Sequence, residues 1–252
     1  AKSELVRALP PDGHAVLNAD DPRVRAMAAV TPARVWYYGL TAREAAAAHA
    51  EVGSGAEGAQ HGAAPRAATG VPAGAGAPAG RSAGGVAGGT QAGGVAPDGR
   101  TAGWVTAADV RPEGPMGQRF RLVCHLGEAE VRLPAPGRHN LLNALAAAAV
   151  GLSLGMDLEA VARGLARFRN AGSRMRLVEA GGVRILDDTY NAAPASVIAA
   201  LEVLRSFAGP DGRCIAVLGD MYELGAMEVD GHRQVGAAAA RLADELIAVG
   251  GL

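Results

Sequence analysis

Apolar and polar residues alternate along the chain in short runs that predict strands separated by helices. Apolar runs bounded by turn-forming residues predict strands at 14–18, 34–39, 183–187, 214–220 and 245–250. Apolar residues at helical spacing predict helices at 139–155, directly after Asp157, at 195–207 and at about 232–243. Strands that alternate with helices indicate an α/β protein with a parallel, Rossmann-like sheet.

Three local signals refine this picture. Asp21 stands directly before a proline, which predicts the start of a short helix. Asp157 predicts the cap of a helix whose apolar stripe ends at Phe168. The runs 120–124 and 130–134 are joined by a glycine-containing turn and predict a β-hairpin.

The order of the elements predicts two domains, 1–170 and 171–252, because a new α/β unit begins after the helix capped by Asp157. The chain opens without Met and stops just after the strand 245–250, where the sheet is unfinished. We therefore expect a fragment at both ends, with part of a domain on each side of the boundary.

One long segment lacks the residues that build a core. Between Arg43 and Arg100 there is no Leu, Ile, Phe, Tyr or Trp, and 53–99 holds 15 of the 36 glycines. Such a segment cannot bury enough apolar surface to offset the entropy of ordering it. We expect 43–100 to be a disordered Gly/Ala-rich insertion.

Composition and charge exclude several classes of protein. Hydrophobic residues make up 49% of the chain, which suffices for a core, and the net charge of -1 argues against nucleic-acid binding. No long unbroken apolar run predicts a membrane span. Two distant cysteines form no disulfide framework and fit a reducing compartment. Lys2 is the only lysine, so a GxxxxGK[ST] phosphate loop is absent from this chain.

Asn140 and Asn143 stand three residues apart at a predicted helix start, and therefore share one face. An Asn side chain can form two hydrogen bonds with the edge of adenine. The alternative is that Asn140 caps the helix and Asn143 is solvated, and spacing alone favours this alternative.

A polar cluster follows the predicted strand 183–187, which we expect to be buried, at the sheet edge where α/β proteins bind ligands. A carboxylate there can hold ribose hydroxyls or a metal ion, or one Asp can cap the next helix while the other is solvated. The composition favours function, since Asp187, Asp188, Tyr190 and Asn191 lie within five residues.

Two further features are weaker. Arg174 lies at the junction of the two units, where an arginine can clamp a phosphate, but it is one of 23 arginines. Asp220 ends the next strand on the same expected edge, and on geometry alone it can belong to an ordinary turn. We interpret His139 and His232 as structural, since no His, Cys and carboxylate cluster has the spacing of a metal site.

Taken together, five stretches resemble the Mur ligases, the ATP-dependent amide-forming enzymes of peptidoglycan precursor synthesis. The resemblance covers 1–40 and about 101–252. The stretches are AKSELVRALPPDGHAVLNADDP, GRHNLLNALAAAAVGLSLG, GSRMR, ILDDTYNAAPASVIAAL and VLGDMYELGAMEVDGHRQVG. The last two are similar to the branch of the family that adds D-alanyl-D-alanine to UDP-N-acetylmuramoyl-tripeptide.

The resemblance implies a fold and a set of roles. Residues 1–170 would be part of a central mononucleotide-binding, parallel-sheet domain, and 171–252 an incomplete Rossmann-like C-terminal ligase domain. ATP and Mg²⁺ are implied, and Lys2 matches a family lysine that is carbamylated and helps to hold magnesium. For the nucleotide, the implied contacts are Asn140 and Asn143 to adenine, Arg174 to the terminal phosphates, Asp188 to ribose, and Tyr190 and Asn191 along its length.

The resemblance also implies a cytoplasmic, monomeric enzyme that works through an acyl phosphate. Three departures from the family pattern are expected. The N-terminal UDP-binding domain, the phosphate loop and the end of the C-terminal domain are missing from the chain, the Gly/Ala-rich segment is foreign to the family, and Ala193 replaces a family Asn. We therefore expect the chain alone to be inactive. The alternatives are another Mur-type or folylpolyglutamate-type ligase, or a non-catalytic relative that binds a nucleotide or a partner.

Overall fold

The computed structural model describes residues 2–57, 101–169, 172–209 and 211–251. Within the expected insertion, 58–100 lies outside the described residues. The strands are β1 (His14–Asn18), β2 (Arg34–Tyr38), β3 (Thr101–Pro112), β4 (Gln118–Cys124), β5 (Gly127–Leu133), β6 (Arg176–Ala180), β7 (Val183–Asp187), β8 (Ile215–Gly219) and β9 (Glu245–Val249). The α-helices are α1 (Lys2–Arg7), α2 (Pro22–Arg25), α3 (Ala42–Glu57), α4 (Arg138–Ser153), α5 (Leu158–Ala166), α6 (Pro194–Ala208) and α7 (Glu228–Leu242).

The first unit is a five-stranded sheet in the order β1-β2-β3-β4-β5. The pairs β1–β2 and β2–β3 are parallel, whereas β3–β4 and β4–β5 are antiparallel. The predicted hairpin is therefore confirmed, and it extends the parallel part of the sheet. Strand β3 was not predicted.

Helices cover both faces of this sheet. Because successive side chains of a strand point to opposite faces, Trp36 belongs to the core cluster that includes residues of α4 and α5, while Val35 and Tyr37 belong to the cluster that includes residues of α3. These three β2 side chains are all buried. Such double coverage is typical of parallel strands in α/β proteins.

Helix α3 corrects the expected limits of the insertion, because 43–57 is helical. Alanine has the highest helix propensity, and its small side chain lets a helix lie close to a sheet. Ala42, Ala45 and Ala46 are buried at the spacing of one helix face. They pack in the cluster on the face of the sheet that carries Val35 and Tyr37. A lack of large apolar residues was therefore the wrong criterion for these positions.

The second unit has two small sheets. Strands β8 and β9 pair in parallel, as an α/β fold predicts, and α6 and α7 pack together over a core of Leu201, Ala216, Ala238 and Ala239. The α/β class with parallel strands is confirmed. No helix in the described ranges is both long and apolar enough to cross a bilayer.

Strand β7 differs from the sequence expectation in two ways. It pairs with β6 in antiparallel register rather than with the parallel strands. Gly181 and Gly182 both have positive φ, at 58° and 78°, which is the backbone of a two-residue hairpin turn. The strand is also not buried, since Val183 and Ile185 are 60% and 46% exposed.

An aspartate ties together the ends of the first two strands. The Asp20 carboxylate accepts hydrogen bonds from the Leu40 N–H at 3.0 Å, the Thr41 N–H at 2.9 Å and the Thr41 hydroxyl at 2.9 Å. Gly39 has φ +128°, and a Cβ there would lie 2.9 Å from the carboxylate. The pKa of Asp20 is lowered because these hydrogen bonds outweigh its partial burial.

Asp220 repeats this arrangement at the ends of β8 and β9. Its carboxylate accepts a hydrogen bond from the Gly251 N–H at 3.0 Å, and Gly250 has φ +137°. A Cβ on Gly250 would collide with the carboxylate. Asp220 thus secures a strand end in the described structure.

We expect Asp20→Ala to lower the free energy of unfolding by about 1–3 kcal/mol, since hydrogen bonds to a charged group are among the stronger ones. Urea denaturation of the variant measures this loss. Asp12→Ala is the control because Asp12 is an exposed aspartate close in sequence. An Asp20 variant as stable as the control variant would contradict the structural role.

Candidate functional site

A cavity of about 410 Å³ lies where the two units meet. It is bounded by the start of α4, the segment after α5, the turn before β6, the loop after β7 and the first turn of α6. The lining residues are His139, Asn140, Asn143, Phe168, Arg169, Arg174, Met175, Asp188, Asn191 and Ser196. Five of the seven site residues expected from the sequence line this one cavity.

Helix α4 brings Asn140 and Asn143 to the cavity. Its N-cap is Gly137, at φ +91° and without a side-chain cap, so the interpretation of Asn140 as the cap is wrong. Instead, Asn140 Nδ2 donates a hydrogen bond to the Pro136 carbonyl at 2.8 Å. An amide has one oxygen and two N–H groups, so Asn140 keeps an acceptor and a donor for a ligand. Asn143 is exposed one turn further along.

The turn before β6 is fastened to the loop after β7 at two points. The Met175 N–H donates to Asp188 Oδ1 at 3.1 Å, and the Tyr190 N–H donates to the Ser173 carbonyl at 3.2 Å. Met175 has φ +49°, a conformation that is uncommon outside glycine, and only 7% of its surface is exposed. These contacts fix the position of Arg174 between them.

Arg174 lines the cavity and stacks on Tyr190. Its guanidinium carbon lies 4.2 Å from the centroid of the Tyr190 ring, within the range of a cation–π contact. Tyr190 itself is 66% exposed. The structure thus places Tyr190 against the arginine.

The two neighbouring aspartates have separate environments. Asp187 accepts hydrogen bonds from the Thr189 hydroxyl at 2.8 Å and N–H at 3.3 Å, and forms a 3.4 Å ion pair with Arg176. Hydrogen bonding by Thr189 lowers the pKa of Asp187. Asp188 points to the cavity instead, and its partial burial raises its pKa against the opposing effects of the Met175 N–H, His139 and Arg174.

At the start of α6 the N-cap residue has no polar side chain, and Ser196 forms hydrogen bonds with its backbone instead. Ala193 is the N-cap and has no polar atom in its side chain. The Ser196 hydroxyl accepts a hydrogen bond from the Ala193 N–H at 3.1 Å and donates one to the Ala193 carbonyl at 2.9 Å. Asn191, two residues before Ala193, lines the cavity, and its side-chain oxygen accepts a hydrogen bond from the Ala192 N–H at 2.9 Å.

His139 lies at the start of α4, near the carboxylates of Asp188 and Glu202 in the second unit. Its ring packs beside Gly137, where a Cβ would lie 2.8 Å from the ring and 2.9 Å from Val203 of α6. Within the described part of the chain, its buried Nδ1 has no hydrogen-bond partner. Burial lowers the pKa of His139, although the nearby Asp188 and Glu202 carboxylates oppose this effect.

The described residues do not form a complete metal centre. Among them, no group of three or more His, Cys, Asp and Glu side chains is placed to hold a metal ion. Mg²⁺ often takes only one or two carboxylates and the oxygens of a substrate phosphate, a requirement that Asp188 can meet only in part. Lys2 is the first residue of α1, and its side chain lies outside the described set.

Several lining residues were not expected from the sequence. Phe168 was placed on the apolar stripe of a helix, but α5 ends at Ala166, and Phe168 is 41% exposed beside the cavity. Arg169 and Ser196 were missed too. Arg169 is close in sequence to the expected turn that carries Arg174, and Ser196 is close to the expected loop that carries Asp188. This closeness was the signal that could have placed both at the site.

Comparison with known proteins gives one consistent result. The family described as "Mur ligase middle domain" matches residues 1–65, and "Mur ligase, glutamate ligase domain" matches residues 173–251. The chain is 34% identical, over 99% of its length, to the UDP-N-acetylmuramoyl-tripeptide–D-alanyl-D-alanine ligase of Mycobacterium bovis. It is 43% identical to the ligase of the same name from Escherichia coli, over 53% of its length.

Solved structures agree with the sequence comparison. A crystal structure of MurF from Acinetobacter baumannii covers 100% of the chain with a TM-score of 0.69 and 26% identity. The chain spans 38% of the Mycobacterium bovis ligase, 29% of the Escherichia coli ligase and 42% of the Acinetobacter baumannii chain. It therefore corresponds to less than half of each of these relatives.

We expect the contribution of His139 to destabilise the folded protein as the pH falls from about 7.5 towards 5.5. The folded-state pKa of His139 lies below its ordinary value of 6.5, so the unfolded chain takes up a proton first and unfolding becomes more favourable. Asp188 changes the stability in the opposite direction as the pH falls, because its pKa is raised in the folded state. Urea denaturation across this range should show a shallower pH dependence for His139→Phe, whereas an unchanged dependence would contradict the assignment.

Proposed function

The chain belongs to the Mur ligase family, and on that premise we propose that its cavity is the nucleotide-binding part of an active site that adds D-alanyl-D-alanine to UDP-N-acetylmuramoyl-tripeptide. The observation that carries the proposal is the convergence of Asn140, Asn143, Arg174, Asp188 and Asn191 on one cavity between the two units. These residues come from three separate segments. Their functional groups match the parts of ATP in turn.

The adenine would lie against the start of α4. Asn140 keeps an amide oxygen and an N–H, and Asn143 is exposed on the same face. An Asn amide pairs with the N6 and N7 edge of adenine by one accepted and one donated hydrogen bond. Both asparagines can therefore distinguish adenine from other bases.

The ribose and phosphates would lie against the second unit. One Asp188 oxygen accepts the hydrogen bond from the Met175 N–H, so the other oxygen can accept a hydrogen bond from a ribose hydroxyl. Arg174 presents a planar cation that suits a terminal phosphate. A Mur ligase structure from Thermotoga maritima with 19% identity and the same fold was solved in complex with ADP, which supports a nucleotide as the ligand.

Magnesium would enter with ATP, and the proposed carbamylated Lys2 would help to hold it. Bound magnesium supplies neutralising charge to the phosphates. The contribution of the described residues is to bind and orient the nucleotide, with Arg174 countering the charge at its end. The expectations of a cytoplasmic and monomeric enzyme stay predictions.

The reaction follows from the chemistry of the proposed substrates. The terminal carboxylate of the tripeptide attacks the γ-phosphorus of ATP, which releases ADP and leaves an acyl phosphate. The amine of D-alanyl-D-alanine then attacks the acyl carbon, phosphate leaves, and the amine proton is lost to solvent as the amide forms. Catalysis of this kind depends on positioning and on charge neutralisation.

The adenine assignment can be tested with Asn143→Ala in the full-length protein. The loss of one neutral hydrogen-bonding side chain costs about 0.5–1.5 kcal/mol, which is roughly a few-fold to tenfold in affinity. We expect the KM for ATP to rise by that factor while the KM for D-alanyl-D-alanine stays nearly constant. Phosphate release at varied ATP and varied dipeptide measures both values.

Ser153→Ala is the matched control, since it removes a polar side chain at the other end of α4. If the folded Asn143 variant binds ATP as well as the control, the adenine assignment is wrong. A full-length protein that binds ATP but releases no phosphate with the dipeptide would instead indicate a non-catalytic relative. Release with another amino acid in place of the dipeptide would indicate a different ligase of the family.

A further inference from the structure

Tyr190 is the side chain on which the Arg174 guanidinium rests. The guanidinium carbon lies 4.2 Å from the ring centroid, and Arg174 lines the cavity whereas the tyrosine ring is largely exposed. The family resemblance places Tyr190 along the nucleotide. The observed contact indicates a different use of the ring.

The backbone fixes the two partners of this stack relative to each other. The Tyr190 N–H donates to the carbonyl of Ser173, the residue before Arg174, at 3.2 Å. The N–H of Met175, the residue after Arg174, donates to Asp188 at 3.1 Å. Arg174 is thus held on both sides by the loop that carries Tyr190, so its side chain leaves the backbone at a fixed point beside the ring.

We propose that Tyr190 is a positioning residue that holds the Arg174 guanidinium at the cavity, and that it acts on a bound nucleotide through Arg174 rather than by contact with the base or the ribose. This inference rests on the proposed function, because it uses the assignment of Arg174 to the terminal phosphates.

The chemistry of arginine makes this arrangement effective. A guanidinium is planar, so it can stack on an aromatic face and still direct its N–H groups, which lie in the plane, to phosphate oxygens. A free arginine side chain loses rotamer entropy when it binds, and prior stacking removes part of that cost. An exposed cation–π contact corresponds to about a two- to fivefold effect on affinity.

The test compares nucleotides with and without terminal phosphates in the full-length protein. We expect Tyr190→Leu to weaken ATP binding about two- to fivefold and to leave AMP binding nearly unchanged. Tyr190→Phe keeps the ring and should recover most of the loss. Isothermal titration calorimetry with ATP and AMP gives both dissociation constants.

A double-mutant cycle with Arg174→Met separates action through the arginine from direct contact. If Tyr190 works through Arg174, Tyr190→Leu has no further effect on ATP binding in the Arg174→Met background. Tyr222→Leu is the matched control, since Tyr222 is a tyrosine of the same unit that is 72% exposed. Thermal melting checks that each variant is folded, and Tyr190→Gln provides a second variant without a ring.

Three results would overturn the proposal: equal weakening of ATP and AMP, an undiminished effect of Tyr190→Leu in the Arg174→Met background, or no effect of either ring-deleting variant. The wild-type protein separates this failure from that of the proposed function. If the wild-type protein binds no ATP, the assignment of the nucleotide site is wrong. If it binds ATP and the variants give any of these three results, only the role of Tyr190 is wrong.

Discussion

The hydrogen bond between the Met175 N–H and the Asp188 carboxylate is the contact on which the cavity depends. It joins the turn before β6 to the loop after β7 and stabilises Met175 at φ +49°, a conformation that a large side chain rarely adopts. With that turn fixed, the Met175 side chain is buried and Arg174 lines the cavity. The same carboxyl has a raised pKa because the cavity wall partly buries it.

The elements that sequence reasoning placed well are those whose signals are local. Asp21 and Asp157 both accept hydrogen bonds from the backbone of the helices they were expected to cap. The strand 183–187 has the expected bounds. Such signals depend on a few neighbouring residues, so they are present in the chain before any tertiary contact is known.

The errors concern contacts between distant residues. The partner of β7 could not be inferred from the alternation of strands and helices, although Gly181-Gly182 signalled the hairpin. Helix α3 was missed because its alanines carry little apolar surface and matter only against the sheet. For the site, residue types favoured Asp188 but not Asn140, and the family resemblance assigned both to one nucleotide; the fold shows that these residues, 48 positions apart, line one cavity.

A cavity between two units links ligand binding to their relative arrangement. Asn140 and Asn143 belong to the first unit, whereas Arg174, Asp188 and Asn191 belong to the second. A nucleotide that contacts both sets of residues binds best when the distance between the units lets all five residues reach it. Binding therefore favours that relative arrangement of the units. The start of α4 already lies against α6 of the second unit, with Gly137 close to Val203. On the proposed assignment, the adenine end therefore has a wall that exists before binding, and the phosphate end depends on where Arg174 is held.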